Sequence, residues 1–424
     1  MEIAILFKKC YTIREVLRNR IKGKHMTQNQ KKKPYLKLVK PLNLEEIKKK
    51  TTLYRKSQIK KWGKRILLVT MAISGTWMMV TTHDYTRAYQ TASFKRDAVD
   101  NSDYVPFENG MIRYTRDGVM FLNNKNKEQW IQPSQFKNPV IDLADHTFAI
   151  ADIGGNAIQV FTKEGIKGEI ETNLPIEKFT VSDHGIVSAI LKNEFSPMVV
   201  TYDAVGNVLV ENQVSTSESG YPIALEMSPN GKNLLVSYLT SQGNTLKSKV
   251  VSYNFGDAGK EKKNHQVGMD EYEDSIVPEI YYMNASTAVA VGDHSFAIYE
   301  GKTAPEKKKE VQIGQDIKSS FHTDQYIGFV LLNKEKSGYE VRLYNKYGKQ
   351  IMNREFSGEY SHVQMVGDEI ILYEGTSCCI ITKTGIPRFK GDLKVDIKAI
   401  VPATGMNKYL VMSTNELRVV YLAY

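Results

Sequence analysis

Four widely spaced segments of this chain repeat one hairpin pattern. In each, an alternating apolar strand, a few turn residues and a glycine are followed by a second strand. Such alternation is typical of half-buried β-strands, and the glycine indicates a turn with positive φ. We therefore expect equivalent hairpin tips at Gly165, Gly206, Gly348 and Gly385. The segments are QVFTKEGIKGEI (159–170), VVTYDAVGNVLVEN (199–212), VRLYNKYGKQIMNRE (341–355) and CIITKTGIPRFKG (379–391).

With the strands that precede them, these hairpins belong to repeating units spaced 36 to 55 residues apart. Long helical periodicities are absent from this part of the chain. Short strands repeated at this spacing predict an all-β fold, a β-propeller of seven to eight blades, with eight favoured. Seven blades stay open if the first and last units share one sheet. The eight units begin near Tyr104, Val140, Ile176, Tyr221, Ile276, Ile317, Tyr360 and Ile397.

The last unit ends after ELRVVYLAY, one strand short of a blade. A strand near residues 88–99 would complete it and close the ring, so we read 83–103 as linker and closing strand and 104–424 as the propeller. The polar insertion at 256–275 is expected to be an exposed loop between outer strands.

An uncharged run, residues 66–82, separates the propeller from a basic tail at 1–65. The tail holds 21 Lys and Arg against four acids, so the overall charge of +10 leaves −7 for the rest. Nine Lys and Arg in the twenty residues before the run, against three after it, predict a single transmembrane signal anchor with a cytoplasmic N-terminus. A cleaved signal peptide is the alternative.

The true start of the chain is either Met1 or Met26, and residues 1–25 precede the second of these. In either case we expect the basic tail to contact the anionic membrane surface. It has no folded nucleic-acid-binding motif and few aromatic residues, so we predict no nucleic-acid partner.

Three Asp-His pairs are the most conspicuous candidates for chemistry. Each is expected in a tight turn before the second strand of its unit, because Asp favours such turns. Equivalent positions in different blades are spread around a ring, which disfavours a shared metal site. The pairs are Asp145-His146, Asp183-His184 and Asp293-His294.

The other candidates also have structural explanations. DIGGN (152–156) joins two strands and opens no helix, so it reads as a hairpin turn and not a phosphate loop. Cys378 and Cys379 are adjacent in a predicted strand and should face opposite sides without a disulfide. Glu271 and Glu273 fall in the polar insertion. We therefore predict no catalytic residues, no cofactor and no metal.

The hairpins and the tail-anchor-repeat layout resemble an uncharacterised family of single-span, membrane-anchored β-propeller proteins of Gram-positive, clostridia-like bacteria. Its repeats are similar to WD40 and quinoprotein repeats, although this chain has no Trp-Asp and no Gly-His dipeptide. The resemblance covers roughly residues 60–424 and supplies no catalytic residues.

We expect a non-catalytic, membrane-tethered binding or scaffold protein of the cell envelope. Its partner would be an envelope protein or a cell-wall polymer. One alternative is a propeller hydrolase or lyase of wall polysaccharide, which would need acids converging at the ring axis. The other is a transmembrane sensor that couples the propeller to a cytoplasmic partner.

Overall fold

The computed structural model describes residues 44–81, 84–95, 102–193, 196–215, 219–242, 245–273, 275–333, 338–358 and 360–423. The chain divides into two compact units, Met1–Thr76 and Trp77–Tyr424, which are considered separately. Cys10, Met26 and most of the basic tail lie outside the described residues.

Helix α1 (Leu44–Thr81) contains both the end of the basic segment and nearly all of the uncharged run. Among the described residues, no helix is both long enough and apolar enough to cross a membrane. The transmembrane segment expected at 66–82 therefore stays a prediction. Thr70, Ser74, Gly75 and Thr76 dilute the run, and Lys64 and Arg65 precede it directly.

Within the described residues, 32 strands form eight four-stranded antiparallel sheets, which confirms the predicted β-propeller with eight blades. The strands of blades 1 to 4 are β2 (Asp103–Phe107), β3 (Gly110–Thr115), β4 (Gly118–Asn123), β5 (Glu128–Pro133); β6 (Pro139–Leu143), β7 (Thr147–Asp152), β8 (Ala157–Thr162), β9 (Gly165–Glu171); β10 (Ile176–Val181), β11 (Val187–Leu191), β12 (Met198–Tyr202), β13 (Val208–Gln213); β14 (Tyr221–Met227), β15 (Asn233–Gln242), β16 (Thr245–Asn254) and β17 (Gln266–Tyr272).

The remaining strands, in blades 5 to 8, are β18 (Glu279–Asn284), β19 (Thr287–Val291), β20 (Ser295–Glu300), β21 (Glu306–Gln312); β22 (Ile317–His322), β23 (Tyr326–Asn333), β24 (Gly338–Asn345), β25 (Gln350–Phe356); β26 (His362–Val366), β27 (Glu369–Glu374), β28 (Ser377–Thr382), β29 (Pro387–Asp392); β30 (Ala399–Pro402), β31 (Lys408–Met412), β32 (Glu416–Ala423) and β1 (Arg87–Lys95). First strands of consecutive blades contact one another, as β14 does with β10 and β18, and so surround the ring axis.

The outermost strand of blade 8 comes from the start of the propeller. Strand β1 pairs with β32 from Arg87 opposite Ala423 to Lys95 opposite Glu416. The expected closure of the ring is thus confirmed, and it removes two unpaired sheet edges.

Eight clusters of buried apolar side chains fill the eight joints between neighbouring blades. Cys378 belongs to the cluster between blades 7 and 8, whereas Cys379 belongs to the cluster between blades 6 and 7. The adjacent thiols therefore face opposite sides of β28, and both are free, as the strand pattern predicted.

The four predicted hairpin glycines all lie where the third strand of a blade turns into the fourth; Gly165 is the first residue of β9. Gly206 and Gly385, for example, have φ values of 93° and 82°. The polar insertion is only partly a loop, however. It contains a short helix α2 (Asp257–Lys260), a 3₁₀ turn (Lys263–His265) and the outer strand β17. The loop prediction for residues 266–272 was wrong, because β17 pairs with β16 although polar and apolar residues are mixed along it.

Candidate binding sites on the propeller

Two Asp-His pairs lie in the predicted turns between first and second strands. Asp145-His146 connects β6 to β7, and Asp183-His184 connects β10 to β11. The His146 backbone N–H donates to Asp183 Oδ1 over 3.2 Å, and His146 Nδ1 lies 3.3 Å from Glu108 Oε1 in blade 1. The turns of blades 1, 2 and 3 are therefore linked to one another by these polar contacts.

The third pair corrects the sequence analysis. Asp293-His294 lies between the second and third strands of its blade, β19 and β20, and not before the second strand. The preceding turn of Ala285 and Ser286 is too short to stand out in the sequence. Ser275 Oγ donates to Asp293 Oδ1 over 2.6 Å, and His294 Nδ1 lies 3.6 Å from Asp316 Oδ1. This turn thus links blade 5 to the connections on either side of it.

A pair of carboxyl groups that the sequence did not single out lies on the inner strands. Asp142 of β6 accepts the backbone N–H of Val181 over 2.7 Å. The buried hydroxyl of Thr180 in β10 accepts the backbone N–H of Met227 over 3.3 Å and lies near both Asp142 and Glu226, the latter in β14. Two neighbouring carboxylates repel each other, which favours a proton on one of them.

The environment of this pair points the same way. Burial raises the pKa of Asp142 to about 6. Burial also raises the pKa of Glu226 well above its usual range, and the nearby charges of Asp142 and Glu279 raise it further. Both residues are half-buried. Carboxyl groups coupled in this way titrate as a pair.

Beside the pair, a cavity of about 410 Å³ opens between the inner strands of blades 2 to 5. Its wall carries Asp142, Glu177 and Glu279. Tyr221 Oη donates to Glu177 Oε2 over 2.5 Å, and Ser320 Oγ donates to Glu279 Oε1 over 2.6 Å. Sequence reasoning missed these acids because they occur singly, one acid in each short inner strand. Their positions in consecutive first strands were the available signal.

A larger cavity of about 610 Å³ lies at the joint between blades 8 and 1 and reaches the inner strand of blade 7. Its wall is largely apolar and includes Phe94, Met111 and Leu417, whereas Lys125 and Lys408 supply positive charge. No sequence motif marks this cavity, because its wall comes from segments far apart in the chain. It lies within the range typical of small-molecule sites, about 300 to 1,000 Å³.

In the part of the chain that the structure describes, no group of three or more His, Cys, Asp or Glu is arranged to hold a metal ion. DIGGN forms the turn between β7 and β8. Glu271 is an exposed residue of β17, and the exposed Glu273 pairs with Lys247.

Solved structures with the same architecture confirm the fold. BamB from Moraxella catarrhalis matches with a TM-score of 0.50 at 10% identity, over 79% of this chain and 100% of that chain. Sqt1 from Saccharomyces cerevisiae matches with a TM-score of 0.50 at 9% identity, over 80% of this chain and 99% of that chain. At such identities the likeness shows the fold alone.

No curated protein matches the chain in sequence. A family profile does match, and it covers residues 81–422, which is nearly the whole of the propeller together with its closing strand. The chain therefore belongs to DUF5711, a family of unknown function.

Proposed function

We propose that the protein is a non-catalytic, membrane-tethered scaffold of the cell envelope whose propeller binds an envelope protein or a cell-wall polymer. The observation that carries this proposal is that the polar residues considered for chemistry form structural contacts. Asp183, His146 and Asp293 link turns within the ring, while two sizeable cavities stay open in a closed framework. A rigid ring with open recesses suits binding, because it loses little conformational freedom when a ligand enters.

The tether proposal rests on helix α1. Its apolar residues Ile66, Leu67, Leu68 and Val69 occupy successive sides of the helix, and 58% to 66% of each is exposed. A helix that is apolar all round is normally buried in protein or lipid. Seventeen residues rise roughly 26 Å, and the side chains of Lys64 and Arg65, which precede the uncharged run, extend the effective span by reaching toward the lipid head groups.

The charge asymmetry gives the orientation. Nine Lys and Arg precede the uncharged run within twenty residues and three follow it. This difference favours a cytoplasmic basic tail in contact with anionic lipid and an extracytoplasmic propeller.

Protease treatment of intact wall-free cells tests the topology. We expect the propeller to be degraded while a small stub stays with the membrane and resists extraction at alkaline pH. Protection of the propeller in intact cells, with digestion only after lysis, would contradict the proposed orientation. Release of the stub at alkaline pH would contradict the tether.

Crosslinking in intact membranes followed by mass spectrometry tests the binding role. We expect an extracytoplasmic protein or wall fragment attached to the propeller. Purified protein incubated with wall polysaccharides should release no product. If cytoplasmic proteins alone are captured, and only through the basic tail, a sensor function replaces the scaffold.

The carboxyl pair supports a second candidate, a glycoside hydrolase or lyase. Such enzymes use two carboxyl groups, one of which is protonated at working pH, and a pKa of about 6 for Asp142 fits that requirement. Product release that disappears in both Asp142→Asn and Glu226→Gln, but not in Asp145→Asn, would establish this candidate over the scaffold.

A further inference from the structure

Counted over the described residues, the joint between blades 8 and 1 has the smallest apolar cluster in the ring. Seven buried residues form it, whereas thirteen form the cluster between blades 7 and 8. Phe94 of β1 and Leu410 of β31 are only partly buried against the small cluster, and both line the cavity of about 610 Å³. The apolar surface at this joint is therefore incompletely covered by the described residues.

Hydrogen bonds join blades 8 and 1 at two places. Asn126 Nδ2 in blade 1 donates to the Phe94 carbonyl in blade 8 over 2.9 Å. Tyr104 Oη in blade 1 donates to the Thr414 carbonyl in blade 8 over 3.2 Å. Blades 8 and 1 are therefore joined by hydrogen bonds as well as by the apolar cluster, and the cavity lies within a joint whose two sides are connected.

The charges around the cavity are positive. Lys125 is exposed, Lys408 lies 5.7 Å from the ring centre of Tyr421, and neither forms an ion pair with a described carboxylate. The one acid in the wall, Glu108, is already occupied by His146 and Lys163, each at 3.3 Å. The cavity thus combines an apolar interior with two cations whose charge is not compensated.

We propose that this cavity binds an amphipathic anion, a single acyl chain that carries a carboxylate or phosphate head. The chain packs against Phe94, Leu410 and Leu417, and the head lies between Lys125 and Lys408. Burial of the chain covers the apolar surface that the two blades leave open, and the head neutralises the lysines. This site does not depend on the proposed partner of the scaffold.

Photocrosslinking of the full-length protein tests the proposal. The probe is a 16-carbon fatty acid with a diazirine near its methyl end, and the crosslinked residues are mapped by mass spectrometry. We expect labelling of β1, β31 and β32. Unlabelled palmitate or a monoacyl phosphate should compete, whichever head the natural ligand carries, while cetyl alcohol and cetyltrimethylammonium should compete poorly. Equal competition by all four, or labelling confined to helix α1, would overturn the proposal.

Two sets of variants sharpen the test. Lys125→Gln and Lys408→Gln should each raise the probe concentration that gives half-maximal labelling about five-fold, since an exposed ion pair is worth up to about 1 kcal/mol. Lys346→Gln is the matched control, because Lys346 lies 5.4 Å from the ring centre of Tyr347 but away from the cavity. Val401→Phe should fill the cavity and abolish labelling at an unchanged melting temperature. Labelling by this folded variant at the wild-type level would overturn the site.

Discussion

Each blade has a joint on either side. Among the described residues, the number of buried apolar side chains differs most between the two joints of blade 8. On the side of blade 7, thirteen buried residues, among them Tyr409 and Leu422, form one cluster. On the side of blade 1 there are seven, and a cavity of about 610 Å³ lies beside them. Both flanks belong to the blade that contains both ends of the propeller.

The closing strand explains how the ring tolerates this asymmetry. Its N-terminal part contributes Ala88 to the dense flank, and the preceding Tyr85 is buried there too. Its C-terminal part contributes only Phe94 to the sparse flank. Closure thus depends chiefly on strand pairing and on the dense flank, which leaves the other flank free to keep an open cavity.

Deletion of Asn415 to Tyr424 should have the largest effect of all. It removes β32, which pairs with both β1 and β31, and so leaves two open sheet edges in one blade. We expect loss of the cooperative unfolding transition of the whole propeller, measured by circular dichroism and calorimetry. Deletion of only Ala423 and Tyr424 is the control, and it should shift the transition slightly. An unchanged transition in the longer deletion would mean that the blades fold independently.

Matched leucine truncations compare the two flanks directly. Leu422→Ala, on the dense side, removes a side chain that is 5% exposed and should cost about 2 to 4 kcal/mol of unfolding free energy. Leu410→Ala, on the sparse side, enlarges an existing cavity and should cost less than about 1.5 kcal/mol. Urea denaturation measures both. Equal costs would show that the sparse flank is as tightly packed in solution as the dense one.

The sequence predicted the blade count, because alternation and turn residues act over a few neighbouring positions. It also predicted the closing strand, because the last unit was one strand short. The predicted position of the turn at Asp293 was wrong, because the neighbouring hairpin turn is too short to stand out in the sequence. The outer strand β17 was missed because polar residues are mixed with its apolar ones and it follows a long polar segment. Neither cavity was predicted. Phe94 and Leu417 are distant in the chain, and only ring closure brings them together.

Asp142 is a half-buried carboxyl group at the joint between blades 2 and 3. Since its folded-state pKa of about 6 exceeds the usual 3.8, the folded protein binds more protons than the unfolded chain between about pH 4 and 6. Stability from this group is therefore present at low pH and is lost as pH rises through that window.

We expect Asp142→Asn to be more stable than the wild type at pH 7.5, by roughly 1 to 2 kcal/mol, with little difference at pH 4. The asparagine keeps an oxygen that accepts the Val181 N–H. Urea denaturation at the two pH values measures the effect, and Asp145→Asn, in an exposed turn, serves as the control. The same difference at both pH values would show that Asp142 does not titrate in this window.

The smallest expected effect concerns the polar links across a dense joint. Thirteen buried residues already join blades 2 and 3, so the hydrogen bond from the His146 N–H to Asp183 Oδ1 adds to a joint that holds without it. Asp183→Ala should cost about 0.5 to 1 kcal/mol of unfolding free energy, which is the usual net value of one such bond. Asp145→Ala, in the same kind of turn, should cost less, because its exposed carboxylate forms no inter-blade bond among the described contacts. If Asp183→Ala instead cost as much as Leu422→Ala, the turn link would be a main support of the joint between blades 2 and 3, and that joint would owe its stability to more than apolar packing.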